Sequence, residues 1–146
     1  LACDILLAAE SASFGLVEVV VGLTPSMGGP QRLAERAGPA RARELVFTGE
    51  RYPAATLERW NVVNRVLPDD GFAAAARAYA RQVAAGPTVA HAATKRLVAT
   101  AVRDGVRAAD GAVPAVSGAL FASTDLPAAV ASFLADGPGK AVHRGR

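Results

Sequence analysis

Residues 14–33 read FGLVEVVVGLTPSMGGPQRL and hold an apolar run, a loop and the start of a helix. Phe14–Leu23 is predicted to be extended, because its β-branched valines favour a pleated, buried surface. Residues 24–30 are predicted to form a loop, since two prolines and two adjacent glycines leave neither a helix nor a strand ladder to build. Pro30 can then be the first residue of a helix, where the N–H that proline lacks is not required.

Glu18 is the only charged residue in the apolar run. If the run is extended, the neighbours of Glu18 on the same face are Leu16 and Val20, and both are apolar. A carboxylate is costly to ionise in such surroundings, which suits a group that exchanges protons near neutral pH. The alternative is a glutamate that reaches solvent or pairs with an arginine such as Arg32. The pattern alone supports the two interpretations equally.

The loop TPSMGGP presents closely spaced backbone N–H groups and, at Pro30, a helix start whose dipole favours negative charge. A glycine pair by itself is a weak signal, and an ordinary turn is the simpler interpretation. Its position directly after the run Phe14–Leu23, which contains Glu18, makes the loop a candidate binding element.

Short strands and helices are predicted on both sides of this region. Asp4–Ala9 is predicted to be a buried strand, and residues 10–13 a turn. The helix that begins at Pro30 is expected to end at Gly38. The elements that follow are a helix from Pro39 through Phe47 stopped by Thr48–Gly49, a short helix Ala54–Trp60 with a left-handed Asn61 after it, and a strand Val62–Leu67 closed by Pro68.

The chain is predicted to be helical from Asp70 onward. Apolar residues at helical spacing are expected to face inward in three segments: Phe72, Ala76, Tyr79 and Val83; Val89, Ala93 and Leu97; and Val130, Phe133 and Leu134. Residues 107–124 are expected to kink or divide near Pro114. Asp125 can cap the last helix, and the basic tail DGPGKAVHRGR is expected to be mobile.

Composition excludes several classes of protein. The chain has 146 residues, of which 51% are hydrophobic, so it can bury a core and is not disordered as a whole. The net charge is +3, but the arginines are spread among Asp and Glu residues and do not form one basic stripe, which argues against nucleic-acid binding. No apolar stretch reaches the roughly 18 residues of a membrane span, and no secretory signal opens the chain. A soluble, cytoplasmic protein is expected, and a start at Leu1 inside an apolar element suggests part of a longer chain.

No other residues have the spacing of a catalytic or metal site. His91 has no Ser, Cys or Asp at triad-like spacing, and His143 in the tail is expected to be exposed. Cys3 cannot form an internal disulfide and is expected to behave as a small hydrophobe. The sequence has no His/Cys/Asp cluster at metal-ligand spacing, no GxGxxG and no P-loop, so no metal site is predicted.

Several segments, in order along nearly the whole chain, resemble the crotonase family, also called the enoyl-CoA hydratase/isomerase family. They are LACD (1–4), FGLVEVVVGLTPSMGGPQRL (14–33), LVFTGER (45–51), VVNRVLPDD (62–70), TKRLV (94–98), and LFAS, TD and ASFL within 120–134. The resemblance implies an α/β (α+β) architecture. Residues 1–68 would be the end of a crotonase-like ββα spiral, and residues 69–146 a C-terminal helical region that packs trimers and helps to cover an acyl-CoA.

The resemblance also implies an enzyme, a homotrimer or hexamer, that acts on an acyl-CoA thioester. In this family backbone N–H groups stabilise an enolate, and glutamates move the proton or position the water. Glu18 falls on the second catalytic glutamate, and Met27, Gly28 and Gly29 fall on the substrate-binding loop beside it. The first glutamate and both oxyanion donors would precede Leu1. No cofactor is implied apart from the coenzyme A of the substrate, and no nucleic-acid or membrane partner is implied.

The chain departs from the family pattern at several positions. Val17 stands where a proline usually precedes the glutamate, and Ser26–Pro30 replace a glycine-alanine-glycine-glycine-threonine loop. Further departures are Asn61 for a glycine, Pro114 within a helix and His143 for a phenylalanine. Two other interpretations stay open: a non-catalytic assembly module without a complete site, and another crotonase chemistry such as decarboxylation, dehalogenation or thioester hydrolysis.

Overall fold

The chain forms two compact units, Leu1–Arg77 and Ala78–Arg146, in a computed structural model that describes all 146 residues. The first unit contains strands β1 (Leu7–Ala9) and β2 (Ser13–Phe14), a 3₁₀ helix (Glu18–Val21), helix α1 (Gly29–Thr48), strand β3 (Tyr52–Pro53), helix α2 (Ala54–Arg59) and strand β4 (Arg65–Leu67). Helix α3 (Phe72–Ala84) carries the boundary. The second unit continues with α4 (Thr88–Asp104), α5 (Val106–Gly118), a second 3₁₀ helix (Ala119–Ala122) and α6 (Asp125–Asp136). The architecture is the predicted helix-rich mixture of α and β elements.

The four strands form two separate two-stranded sheets. β1 runs parallel to β4, with Leu7 opposite Arg65, and β2 runs antiparallel to β3. Beside the parallel pair, the N–H of Leu6 donates to the side-chain oxygen of Asn64, and the N–H of Asn64 donates to the carbonyl of Leu6, both at 2.8 Å. This reciprocal pair joins residues 58 positions apart and sets the register of β1 against β4.

Both parallel strands are shorter than predicted. β1 begins at Leu7 instead of Asp4, and β4 begins at Arg65 instead of Val62. The N–H groups of Val62 and Val63 donate to the carbonyl of Leu57, at 2.9 and 3.1 Å. Residues 62 and 63 therefore belong to the turn after α2, and their apolar side chains enter the core from that turn.

The prediction that Phe14–Leu23 is extended was wrong. Only Ser13–Phe14 is a strand, and Glu18–Val21 forms a 3₁₀ helix. The N–H of Val20 donates to the carbonyl of Val17 at 3.1 Å, and Gly22, with φ of 75°, ends the turn. These local hydrogen bonds outweigh the strand propensity of the valines, which is weak without a partner strand. Leu16 and Val20 therefore do not flank Glu18 on one face of a strand, as the sequence predicted.

Helix α1 consists of two helical parts joined by a kink at Gly38, where the sequence predicted that one helix ends and Pro39 begins the next. Gly38 has φ of 82° and ψ of 160°, which is outside the helical range. The helix begins at Gly29, one residue before Pro30, and is followed by Gly49 with a left-handed φ of 63°. A left-handed residue after the last turn is the usual way for glycine to end a helix.

The turn after α2 contains the only non-glycine residue with positive φ, Asn61 at 61°. The prediction of a left-handed asparagine at this position is confirmed, and asparagine adopts this conformation more readily than most residues. The core of the first unit lies between the strands, α1 and α2. Its buried members are Ala8, Leu33, Ala42, Leu45, Ala54, Leu57, Val62 and Val63.

The helical spacing predicted for α3 and α4 is confirmed. The half-buried residues of α3 are Phe72, Ala76, Tyr79 and Val83, and those of α4 include Val89, Ala93 and Leu97. α4 packs against α5. Residues 107–124 were predicted to kink or divide near Pro114. α5 instead continues through Pro114 to Gly118, and the division falls after Gly118, where the second 3₁₀ helix begins.

Two predictions about the last helix were wrong. Val130, Phe133 and Leu134 are 50%, 58% and 79% exposed instead of facing inward. The Asp125 side chain does not cap α6. Its carboxylate accepts the N–H groups of residues 144 and 145, so the end of the predicted mobile tail folds back onto the start of α6.

No single helix has the length and apolar composition needed to cross a bilayer. One bent pair, Val106–Ala122 with Asp125–Asp136, meets that criterion by length and composition, with an angle of 75° at the break.

Candidate active site

Glu18 is the first residue of the 3₁₀ helix and is half-buried. Its Oε2 atom is buried and has no hydrogen-bond partner in the chain. Leaving a buried acceptor unpaired costs about 1–3 kcal/mol, and more for a charged group. A buried polar atom without a partner is rare in a folded protein and marks a candidate functional group.

Arg32 does not form the ion pair with Glu18 that the sequence suggested as an alternative. Its Nη1 donates instead to the carbonyl of Gly28, at 3.1 Å. The guanidinium lies so close to Gly28 that a Cβ on this residue would collide with Nη1. The spacing of four residues at a helix start could have indicated this contact, because such residues are neighbours on a helix surface.

The glycine loop places its residues in different environments. Met27 is 96% exposed, whereas Gly28 is buried and has a φ of 83°. Gly29 is the first residue of α1. No side chain caps this helix, so the loop leaves the first backbone N–H groups of α1 without a side-chain acceptor. The loop thus presents one apolar side chain and a helix start next to each other.

An open cavity of about 330 Å³ lies in the first unit beside the residues that lead into Glu18. Its lining is mainly apolar and includes Phe14, Leu16 and Val17, but not Glu18 itself. Arg51 supplies a charge at the wall and donates three hydrogen bonds to Ser13, the shortest of which joins Nη2 to Oγ at 2.9 Å.

The other sequence candidates do not join Glu18. Cys3, which was expected to behave as a small hydrophobe, is a free and exposed cysteine. His91 is exposed, and Gly86 lies against its ring. His143 belongs to the second unit and is half-buried instead of exposed, and its Nδ1 has no hydrogen-bond partner. No group of three or more His, Cys, Asp or Glu side chains is arranged to hold a metal ion.

Comparison with known proteins identifies the family. The family model described as enoyl-CoA hydratase/isomerase matches residues 1–134. The chain belongs to this family. A probable enoyl-CoA hydratase from Rhizobium meliloti (strain 1021) is 32% identical over 97% of the chain and 55% of its own length. A short-chain-enoyl-CoA hydratase from Clostridioides difficile is 47% identical over 48% of the chain and 45% of its own length.

Solved structures of the enoyl-CoA hydratase/isomerase family have the same fold. A probable enoyl-CoA hydratase/isomerase from Mycobacterium abscessus superposes with a TM-score of 0.90 and 31% identity, over 100% of this chain and 56% of that one. An enoyl-CoA hydratase from Bacillus anthracis gives a TM-score of 0.92 and 26% identity, over 99% of this chain and 55% of that one. The chain thus spans about half the length of the relatives named here.

Proposed function

We propose that Glu18 is the proton-transferring carboxylate of an enoyl-CoA hydratase or isomerase that acts on an acyl-CoA thioester. The observation that carries the proposal is the buried Oε2 of Glu18, which has no hydrogen-bond partner in the chain. Family membership supports it, because the relatives that match are named enoyl-CoA hydratases. A carboxyl group whose buried oxygen has no hydrogen-bond partner in the chain can donate a proton to a bound molecule or accept one from it.

In the hydratase reaction the oxygen of water bonds to the β-carbon of the enoyl group, and a proton reaches the α-carbon. Glu18 in its acid form would donate that proton, and a second base would take the proton that the water loses. In the isomerase reaction the Glu18 carboxylate would remove a proton from one carbon of the acyl chain and return it to another. Both routes pass through an enolate of the thioester, whose negative charge requires hydrogen-bond donors.

Following the family resemblance, the hydrogen-bond donors to the enolate and the first glutamate would lie outside residues 1–146. Within the chain, Met27, Gly28 and Gly29 would contact the substrate beside Glu18. Met27 would supply apolar contact, since its side chain is almost fully exposed on the loop. Coenzyme A enters as part of the substrate, and no separate cofactor is proposed.

The test is Glu18→Gln in the complete protein, with hydration of crotonyl-CoA as the readout. Glutamine keeps the size of the side chain but cannot exchange the proton, so kcat should fall by about 10²–10⁴-fold. The matched control is Glu35→Gln, because Glu35 is an exposed glutamate on α1. We expect its kcat to stay at the wild-type value. Unchanged turnover in Glu18→Gln, with a fold intact by circular dichroism, would end the assignment.

A second candidate function is a non-catalytic assembly module. It is favoured by the exposed apolar face of α6, where Val130, Phe133 and Leu134 are at least half exposed. Large exposed apolar side chains in a cluster are typical of surfaces that contact another protein. We propose that this face packs against further copies in a homotrimer or hexamer. Hydration of an enoyl-CoA by purified residues 1–146 alone would exclude the purely structural role.

A further inference from the structure

Gly49 lies against the 3₁₀ helix on both sides of Glu18. A Cβ on Gly49 would be 2.9 Å from Cγ1 of Val19 and 3.4 Å from Cγ2 of Val20. It would also be 3.9 Å from the Cα of Val17. The residues directly before and after Glu18 therefore both lie within reach of the backbone at position 49, and a side chain there would have to displace one of them.

The other end of α1 contacts the same segment. A Cβ on Gly29, the first residue of the helix, would be 3.0 Å from both Cδ atoms of Leu16. Leu16 and Val19 are three residues apart, so even a fully extended chain separates them by only about 10–11 Å. A straight helix of 20 residues would be about 30 Å long.

The bend at Gly38 resolves this mismatch in length. With φ of 82° it interrupts the helical hydrogen-bonding path and lets both ends of α1 return to one short segment. Residues 16–20 consequently lie between the two ends of α1, whose two helical parts meet at the kink. Their fit depends on the absence of a side chain at Gly29 and, most directly, at Gly49.

We propose that Gly49 is a positioning residue for the Glu18 carboxylate. It touches no reacting atom and acts through Val19, whose backbone follows Glu18 directly. The inference rests on the proposed role of Glu18 in proton transfer. A methyl group at position 49 would move the 3₁₀ helix and, with it, the carboxyl group.

The first variant is Gly49→Ala in the complete protein. A misplacement of about 1 Å can cost roughly 100-fold in rate, so we expect kcat for crotonyl-CoA hydration to fall by about 100-fold. KM should remain within about twofold, because proton transfer contributes in the transition state and not to substrate binding. A crystal structure of the variant should show the Glu18 carboxylate displaced.

Gly71→Ala is the matched control. Gly71 also has a left-handed backbone, with φ of 73°, but a methyl group on this residue would have no other atom within 4 Å. The control therefore carries the same kind of backbone strain without contact to Val19 or the rest of the 3₁₀ helix, and its kcat should equal the wild-type value. The double variant Gly49→Ala/Val19→Ala removes the opposing Cγ1 and should recover kcat by about tenfold or more.

Two results would overturn the positioning role: equal kcat values for Gly49→Ala and Gly71→Ala, or an undisplaced Glu18 in the Gly49→Ala structure. If Gly49→Ala does not fold, Val19→Ala alone opens the same contact, and an unchanged kcat in that variant overturns the proposal. Full activity of Glu18→Gln would instead reject the proposed function, whether or not the carboxylate moves in Gly49→Ala.

Discussion

The carboxylate of Asp125 accepts the backbone N–H of Arg144 at 2.8 Å, across 19 residues of sequence. The N–H of Gly145 donates to the other carboxylate oxygen, also at 2.8 Å. Asp125 is only 6% exposed. The Arg144 N–H makes the largest contribution that lowers the pKa of this carboxyl below its usual value, and the Gly145 N–H adds to it against the opposing effect of burial.

We predict that this contact stabilises the folded chain at neutral pH and that the effect disappears in acid. The pKa of Asp125 in the folded state lies below the unfolded-state value of about 3.9, so the stabilisation is fully present above that value. It is lost as the pH falls through the folded-state pKa. Asp125→Asn should lower the midpoint of thermal unfolding at about pH 7 and have a progressively smaller effect below about pH 4.

Circular dichroism during thermal unfolding, repeated across this pH range, measures the difference between wild type and Asp125→Asn. Asp136→Asn is the control, since Asp136 is an exposed aspartate at the other end of α6. A difference for Asp125→Asn that stays constant from neutral to acid pH would contradict the linkage.

Substitutions at Leu57 test how tightly the core of the first unit is packed. Leu57 is 1% exposed, and its carbonyl also accepts the N–H groups of Val62 and Val63. Leu57→Ala should lower the free energy of unfolding by about 2–5 kcal/mol, because the lost side chain leaves a cavity. Leu57→Met keeps the volume and should cost less than about 1.5 kcal/mol. Denaturant unfolding gives both values, and equal costs for the two variants would show that the core collapses around this position.

Met27 tests the proposed substrate loop. Its side chain is 96% exposed, so truncation should leave the midpoint of thermal unfolding unchanged. In the complete protein, Met27→Ala should raise KM for longer acyl-CoA substrates by several-fold, because each methylene of apolar contact is worth about 0.8 kcal/mol. The increase should be smaller for crotonyl-CoA, whose acyl chain is short. Steady-state kinetics across a series of chain lengths checks this, and a KM that is unaffected at every length would remove Met27 from the binding site.

Leu134 tests the proposed assembly face of α6. It is 79% exposed. Leu134→Glu places a charge on this face, and burying an unpaired charge is costly, so the variant should shift the mass measured by light scattering toward the monomer. Gln82→Glu adds the same charge at an exposed position of α3 and serves as the control. An oligomer in both wild type and Leu134→Glu, with equal dissociation constants, would place the interface elsewhere.

The candidate site was predicted from sequence in part. The loop predicted for residues 24–30 is observed, although α1 already begins at Gly29, and both elements were predicted from glycine and proline, whose backbone preferences are local. The environment of Glu18 was not predicted correctly, because the strand it was assigned to is a 3₁₀ helix. The contact of Gly49 with Val19 gave no signal in the sequence, since the two residues meet only after α1 bends at Gly38.

The sequence by itself determined the features that depend on one residue's own backbone or on an ordered series of motifs. This group includes the helix break at Gly38, the left-handed Asn61, the half-buried faces of α3 and α4 and the family. Only the tertiary structure decided that Oε2 of Glu18 is buried without a partner and that the tail is hydrogen-bonded to Asp125. The physical reason is that burial and hydrogen bonding between distant residues depend on which segments meet in space, and residue preferences along the chain do not specify those meetings.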